Sequence, residues 1–268
     1  RLPDGKKIAL FFYDGERSQN VAFKGVLNNG KAFAHDLMEG YRGGIENEFV
    51  HIATDGESYG HHHKNGDMAL AYCLRYIEEN KLTQLTNYAQ YLELFEPEHE
   101  VEIHEDSSWS CAHGVERWRS NCGCHTGGEA HWTQEWRAPL RNALDNARDT
   151  MIQIFEESLS RYVKDPWALR NDYIHVILDR SKQNVARFLK KHFKQKLGDD
   201  ERTHLMRMLE MQRNAMLMYT SCGWFFDEIS GIEATQILRY ADRAIQLAQE
   251  VQGGELERDF IKILEKAP

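Results

Sequence analysis

The sequence predicts an α+β protein that is predominantly α-helical, with a small strand-containing N-terminal part and an antiparallel helical bundle after it. The first observation is the distribution of glycine, since 14 of the 19 glycines precede residue 137. The second is the spacing of apolar residues after that point, which recurs every three or four residues as in amphipathic helices. The third is a set of short apolar runs in the glycine-rich part, bounded by polar or turn residues as strands are.

Three short apolar runs predict the strands of the N-terminal part. They are Lys7–Tyr13, Glu48–Thr54 and Val101–Ile103. Helical spacing of apolar residues predicts helices over about residues 18–27, 32–38, 67–79 and 85–95. Strands that alternate with helices in this way are typical of partial barrel-like βα units.

One apolar stripe dominates the C-terminal part. It runs along a helix that begins near Pro139, and its members are Leu140, Leu144, Ala147, Met151, Ile154, Phe155, Leu159 and Tyr162. Further helices follow with short connections, which predicts antiparallel packing of neighbours. We therefore predict two domains, a βα region at residues 1–136 that carries sugar-site motifs and an all-helical bundle of unknown function at residues 137–268.

Composition excludes several classes of protein. The net charge of −9, from 33 basic and 42 acidic residues, argues against a nucleic-acid partner. No apolar run approaches the roughly 20 residues that cross a bilayer. The five cysteines are an odd number, which argues against a disulfide framework and indicates a reducing, cytoplasmic setting. The chain opens on Arg1–Asp4 without methionine, so we expect it to be part of a longer protein.

The sharpest candidate site is the segment Ala53–Asp67, in which an apolar run leads directly into Asp55, Gly56 and Glu57. Barrel enzymes place catalytic groups at the carboxyl end of a strand, and two carboxylates two residues apart point to the same side of an extended chain. Three histidines follow at 61–63 and offer hydrogen bonds to a substrate. The alternative is ordinary Asp-Gly turn chemistry, and adjacent histidines are poorly spaced for a single zinc ion.

A second candidate segment spans residues 106–136 and holds four of the six tryptophans. Exposed indole rings stack on sugars, whereas buried rings would only fix the loop to the core. The segment also offers metal-ligand candidates, which are Cys111, His113, Cys122, Cys124 and His125. The usual zinc pairing is C-x-x-C, but the spacings here are C-x-H and C-x-C. The spacing therefore favours no metal, and reduced thiols beside a substrate cleft are the competing interpretation.

Two strings of the sequence resemble glycoside hydrolase family 57, in a bacterial branch whose barrel continues into a helical domain of unknown function. They are ATDGESYGHHHKNGDMALAY, from residue 53, and SSWSCAHGVERWRSNCGC, from residue 107; YTSCGWFFDEISGIEATQILRYADRAI extends the resemblance into the helical half. The resemblance implies an incomplete (β/α)7 barrel that acts on α-glucans and related α-glycosides with retention of configuration. It also implies that Asp55 is the acid/base carboxyl. The implied substrate contacts are Glu57, Tyr59, His61, His62, Trp109, His113, Glu116 and Trp118.

One element of the family pattern is missing from this chain. The resemblance implies a glutamate nucleophile on an earlier strand, and the acidic residues before Asp55 that could serve are Asp14, Glu16, Glu39, Glu46 and Glu48, none within such a motif. We therefore expect the C-terminal portion of a glycosidase or glycosyltransferase, inactive alone, without a cofactor. Its expected partners are an oligo- or polysaccharide substrate and the N-terminal portion of the catalytic barrel. The alternative is a non-catalytic carbohydrate-binding or protein-interaction module.

Overall fold

The structure is a computed structural model and describes residues 5–44 and 46–268. Residues Arg1–Asp4 lie outside the described residues. The expectation of a longer protein, which depends on the lack of methionine at this end, is therefore not tested. Contacts within the chain separate two compact units, Arg1–Ile103 and His104–Pro268. This division places segment 104–136 in the same unit as the C-terminal helices. The domain boundary expected after residue 136 stays a prediction.

The described part of the first unit contains four α-helices. They are α1 (Gly15–Phe23), α2 (Gly30–Met38), α3 (Gly66–Glu79) and α4 (Tyr88–Leu94). Side chains cap the first two, because Asp14 accepts a hydrogen bond from the N–H of Arg17 and Asn29 accepts from the N–H groups of two residues in the first turn of α2. Helices α2 and α3 pack together around a small core. Its buried members are Val21, Leu27, Phe33, Ala34, Ala69, Cys73 and Ile77.

The strands predicted for the N-terminal part are wrong as far as the described residues go. Lys7–Tyr13, Glu48–Thr54 and Val101–Ile103 have no strand assignment. A strand requires a ladder of hydrogen bonds to a neighbouring strand. Instead of a ladder, one backbone hydrogen bond reaches the second segment from just after the first, from the N–H of Asp14 to the carbonyl of His51 at 2.8 Å. The apolar pattern is real, but without a ladder it leaves side chains such as Phe12 exposed (72%).

Replacing Gly30 with alanine should destabilise the first unit by about 1 to 3 kcal/mol, because it overpacks a tight contact between α2 and α3. A Cβ at this position would lie 2.7 Å from the carbonyl oxygen of Ala69 and 2.8 Å from the ring of Tyr72. The matched control is Gly15→Ala, since Gly15 also opens a helix but nothing lies within 4 Å of its Cβ position. Urea denaturation followed by circular dichroism measures both, and equal midpoints would contradict the expected contact.

The second unit is a set of packed helices. They are α5 (Arg137–Leu159), α6 (Pro166–Asp172), α7 (Ile174–Leu178), α8 (Lys182–His192), α9 (Asp199–Leu217), α10 (Ile232–Gln252) and α11 (Leu256–Leu264). Helix α10 packs along α9, while α5 contacts α9, α10 and α11. Two short 3₁₀ helices, Glu116–Trp118 and Ser221–Trp224, also contact each other. The predominantly helical character is confirmed, and the antiparallel order of the helices stays a prediction.

The apolar stripe of α5 forms the centre of the core of this unit. All its predicted members are buried except Tyr162, which follows the helix and is 39% exposed. The methionine-rich helix α9 contributes Met208 and Met211, both fully buried. Within the described residues, no helix combines the length and apolar character needed to cross a membrane.

Candidate functional site

The loop that carries Asp55 follows an extended segment and turns into a short 3₁₀ helix, Gly56–Tyr59. The carbonyl of Asp55 accepts a hydrogen bond from the N–H of Ser58 at 3.1 Å. The carbonyl of Glu57 accepts from the N–H groups of His61 and His62. These backbone bonds close two successive turns, so the acidic residues and the histidines lie on a wound loop.

Three contacts fix the conformation and position of this loop. The hydroxyl of Thr54 donates to the phenolic oxygen of Tyr59 at 3.1 Å within the loop, and Nε2 of His63 lies 3.0 Å from the carbonyl oxygen of Ala22 in α1. Gly66 is buried, and a Cβ there would lie 3.1 Å from the carbonyl oxygen of Ser58. The small residue therefore allows α3 to begin directly against the loop.

The predicted catalytic and contact residues of this loop are available to solvent. Asp55, Glu57, His61 and His62 are exposed, and Tyr59 is half-buried. Among the described residues, neither carboxylate forms a side-chain hydrogen bond or an ion pair. The rings of His61 and His62 are 4.9 Å apart between centroids. Free carboxylates beside imidazoles can exchange protons with a ligand, although these residues make no bonds with one another that fix such a role.

The first unit also contains an aromatic cleft of about 510 Å³. Ring side chains that contact one another line it, namely Phe49, His51, Tyr88, Tyr91 and Phe95. The imidazole of His51 and the hydroxyl of Tyr88 are joined by a 2.9 Å hydrogen bond. None of the predicted substrate contacts lines this cleft, so the aromatic surface and the Asp55 loop are distinct features of the first unit.

In the second unit, four of the five metal-ligand candidates converge. We call this group the Cys/His cluster, and its members are Cys111, His113, Cys122 and Cys124. One ligand atom from each lies within 4.8 Å of all the others. The sulfur of Cys124 is 3.9 Å from the sulfur of Cys111 and 3.5 Å from Nδ1 of His113. The fifth candidate, His125, lies outside the cluster and donates to a carboxylate of Asp227 at 3.1 Å instead.

Glycine conformation makes the short spacings of this cluster workable. Gly123, between the two cysteines of the C-x-C, has a φ of +75°, in the left-handed region that side chains disfavour. Gly114, next to His113, has a φ of +76°, and a Cβ there would clash severely with the carbonyl oxygen of Asp106. The chain therefore reverses tightly at both places, which brings residues from opposite ends of the segment together.

The thiols of the cluster differ in acidity. Burial opposes ionisation of Cys111, yet the N–H groups of His113 and Arg117 and the neighbouring thiols donate to its sulfur and lower its pKa to about 7. For Cys124, the N–H of Ala112 favours the thiolate, but burial and the other two thiols leave its pKa above the ordinary value. Of Cys111 and Cys124, Cys111 therefore has the lower pKa.

A buried polar network surrounds the cluster. The guanidinium of Arg137 is fully buried and donates to the sulfur of Cys122 at 3.3 Å. The side-chain oxygen of Gln134 accepts from the N–H of Gly123 at 2.9 Å, and its amide nitrogen donates to Asp227 at 2.7 Å. Asp227 is 2% exposed and also accepts from the N–H of Thr126. The network therefore ties the loop to the turn that precedes α10.

A second buried arginine supports the same region. Arg117 donates twice to the carbonyl of Ser110 and once to the carbonyl of Phe225, whose ring it also covers at 4.6 Å. Within the described residues, neither Arg117 nor Arg137 forms an ion pair with a carboxylate. Burial lowers the pKa of Arg137, but a guanidinium stays protonated in proteins.

The predicted sugar contacts of this segment have unequal surroundings. Trp109 is 78% exposed and stacks on Phe225 with ring centroids 5.8 Å apart. Trp118 is half-buried against the helical core, and its indole N–H donates to the carbonyl of Ser221. Glu116 accepts from Arg119 and Ser120, and the bond from Arg119 lowers its pKa. Trp109 is thus the member of this set that offers a free ring face.

Sequence patterns did not point to the network residues. Arg137, Gln134 and Asp227 belong to no recognisable motif, and the contact between Gln134 and Asp227 joins positions 93 residues apart. The sequence offered one indirect signal, which is the charged residue Arg137 among apolar residues at the start of α5. A buried charged side chain requires hydrogen-bond or charged partners. Their identification depends on the packing of the loop against α5 and α10.

Comparison with known proteins follows the same division of the chain. Residues 1–104 match Glycosyl hydrolase family 57, which confirms the resemblance seen in the sequence. Searches of the curated proteins and of the solved structures found no match. Residues 105–131, which contain the Cys/His cluster, lie between the two matched ranges. Since residues 132–268 are 137 of the 268 residues, the chain belongs to the family described as Domain of unknown function (DUF3536), with a family 57 match ahead of it.

Proposed function

We propose that this chain is part of a retaining glycoside hydrolase or glycosyltransferase that acts on α-glycans, and that Asp55 is its acid/base carboxyl. The match of residues 1–104 to Glycosyl hydrolase family 57 supports a carbohydrate substrate. The observation that carries the role of Asp55 is its position: the carboxylate is exposed and has no side-chain partner among the described residues. A group that exchanges protons with a substrate needs such access.

The proposal also assigns the attacking carboxylate to another part of the enzyme. A retaining glycosidase holds its two carboxyl groups roughly 5 to 5.5 Å apart. Most acidic residues before Asp55 already have structural partners. Asp14 caps α1, Glu16 and Glu39 pair with Arg17, and Glu48 accepts from two backbone N–H groups. We therefore propose that the nucleophile lies outside this chain and that the isolated chain does not turn over substrate.

Glu57, Tyr59, His61 and His62 are the proposed substrate contacts of the same loop. Three of them are exposed, and the half-buried Tyr59 fixes the loop through Thr54. A reducing, cytoplasmic setting also belongs to this proposal. It is supported by the free state of the five cysteines in the described chain.

Replacing Asp55 with asparagine should lower glycan processing by about 10²- to 10⁴-fold, the usual contribution of general acid–base catalysis. The protein to be assayed is a longer version of this chain, which includes the residues encoded upstream of it. The assay measures the release of reducing ends from an α-glucan. The control is Asp67→Asn, which removes another exposed carboxylate from the start of α3. Equal activity of the two variants would remove Asp55 from the mechanism, and activity of the unextended chain would contradict an external nucleophile.

One observation favours a second candidate, a non-catalytic carbohydrate-binding module. The indole of Trp109 is exposed and backed by Phe225, an arrangement that suits stacking on a sugar ring. In this case Trp109→Ala abolishes the retardation of the chain in a glycan-containing gel, whereas Asp55→Asn leaves it unchanged. The opposite pattern, with loss caused by Asp55→Asn alone, contradicts the binding module.

A further inference from the structure

We propose that the Cys/His cluster binds one zinc ion, which holds segment 104–136 in its folded conformation. Three cysteines and one histidine are a standard ligand set for structural zinc. They converge here although the segment has little regular secondary structure beyond the 3₁₀ helix Glu116–Trp118. The inference is independent of glycan chemistry.

Two distances within the cluster match those that a tetrahedral zinc ion imposes. Zinc binds sulfur at roughly 2.3 Å and nitrogen at about 2.0–2.1 Å, so tetrahedral ligands lie ~3.8 Å apart for two sulfurs and ~3.6 Å apart for sulfur and nitrogen. The sulfurs of Cys111 and Cys124 are 3.9 Å apart, and the sulfur of Cys124 is 3.5 Å from the histidine nitrogen. All ligand atoms lie within 4.8 Å of one another, which leaves room for one ion at the centre.

Buried charge provides a second, independent argument. The region contains two buried cations, Arg117 and Arg137, but one buried carboxylate, Asp227. An uncompensated buried charge is strongly unfavourable. Three thiolates and a neutral imidazole around a divalent ion carry one net negative charge, which balances this excess. Arg137 contacts the sulfur of Cys122, so the positive guanidinium lies directly against the negatively charged zinc–thiolate centre.

The surroundings also resemble the outer shell of a zinc site. The guanidinium of Arg137 donates to the sulfur of Cys122 at 3.3 Å, as an outer-shell group does to a metal-bound thiolate. Gln134 holds the C-x-C turn through the N–H of Gly123. All four ligands come from one loop, so the metal cross-links that loop internally, and Arg137 at the start of α5 contacts the loop through Cys122.

Two competing arrangements fit less well. A disulfide between Cys111 and Cys124 requires a sulfur–sulfur distance of about 2.05 Å and leaves a third thiol and the imidazole without a function; the observed distance is 3.9 Å. A catalytic zinc needs an open coordination position. Here four protein ligands fill a tetrahedron, so the proposed role is structural.

Metal analysis of the full 268-residue chain, purified with a thiol reductant and desalted, should find about one zinc per chain, as a closed site implies. Cobalt added to chelator-stripped protein should produce visible absorption of a tetrahedral thiolate site. This measurement uses the unaltered chain, so it does not depend on whether variants fold. A reduced chain that retains no zinc and gives no cobalt spectrum overturns the proposal.

Paired variants test the ligand set itself. His113→Ala and Cys122→Ser should each lower zinc affinity by more than ~100-fold, since loss of a direct ligand exceeds the 10- to 100-fold effect of an outer-shell partner. His131→Ala and Cys222→Ser should retain zinc, because both residues are exposed and lie outside the cluster. Equal zinc loss from His131→Ala and His113→Ala would overturn the assignment of the fourth ligand.

Discussion

Replacing Asp227 with alanine is expected to lower the free energy of unfolding of the helical unit by about 3 to 5 kcal/mol, as for other buried charged groups that lose a partner. The carboxylate is almost fully buried and accepts hydrogen bonds from Gln134, Thr126 and His125. Truncation leaves the fully buried amide of Gln134 and the N–H of Thr126 without this acceptor, and each orphaned buried donor costs roughly 1 to 3 kcal/mol. The ring of His125 is 58% exposed and can bond to water instead. The residue therefore fixes the loop that contains the Cys/His cluster.

The measurement is urea denaturation followed by tryptophan fluorescence. Trp136 and Trp224 are buried and stacked beside this network, so their emission reports its loss. The control is Asp242→Ala on α10, where an exposed carboxylate accepts from Gln246 and the expected change is within about 0.5 kcal/mol. A midpoint for Asp227→Ala equal to that of the control would show that water replaces the lost carboxylate.

The helical part of the fold was predictable because its signal is local. Every residue of the α5 stripe that faces the core recurs at helical spacing, and burial follows the same period. The strand signal of Lys7–Tyr13 is equally local, but a strand is completed by a partner elsewhere in the chain. Sequence alone does not specify that partner, and in the described residues no ladder forms. The pattern was correct about apolarity and wrong about the resulting structure.

The candidate sites divide in the same way. An exposed Asp55 follows from Asp-Gly turn chemistry, which sequence shows directly. The spacing of the cysteines does not predict the Cys/His cluster, because C-x-C differs from the usual C-x-x-C of zinc sites. Spacing does not show the backbone conformation, and here Gly123 at positive φ reverses the chain between the two cysteines. The outer network could not be anticipated, because Arg137 and Asp227 meet this loop through tertiary packing.

Arg137→Met is expected to lower zinc affinity by about 10- to 100-fold, the usual effect of an outer-shell change. The guanidinium donates to the sulfur of Cys122 and to the carbonyls of Phe225 and Phe226. Its loss removes the buried cation that contacts the negatively charged metal centre directly, while Arg117 remains bonded to backbone carbonyls. The stabilisation that zinc provides should therefore shrink by roughly 1.4 to 2.7 kcal/mol, since each factor of ten in affinity corresponds to about 1.4 kcal/mol.

The two contributions of Arg137 can be separated by measuring the variant with and without metal. Loss of the carbonyl hydrogen bonds destabilises both forms equally, whereas loss of the counter-ion affects the zinc-loaded form alone. Competition with a chromophoric chelator measures the affinity, and Arg161→Met, which removes an exposed arginine just after α5, is the control. If Arg137→Met destabilised the protein but bound zinc as tightly as the control, the guanidinium would be a packing element and the buried charges would be balanced by something other than the metal centre.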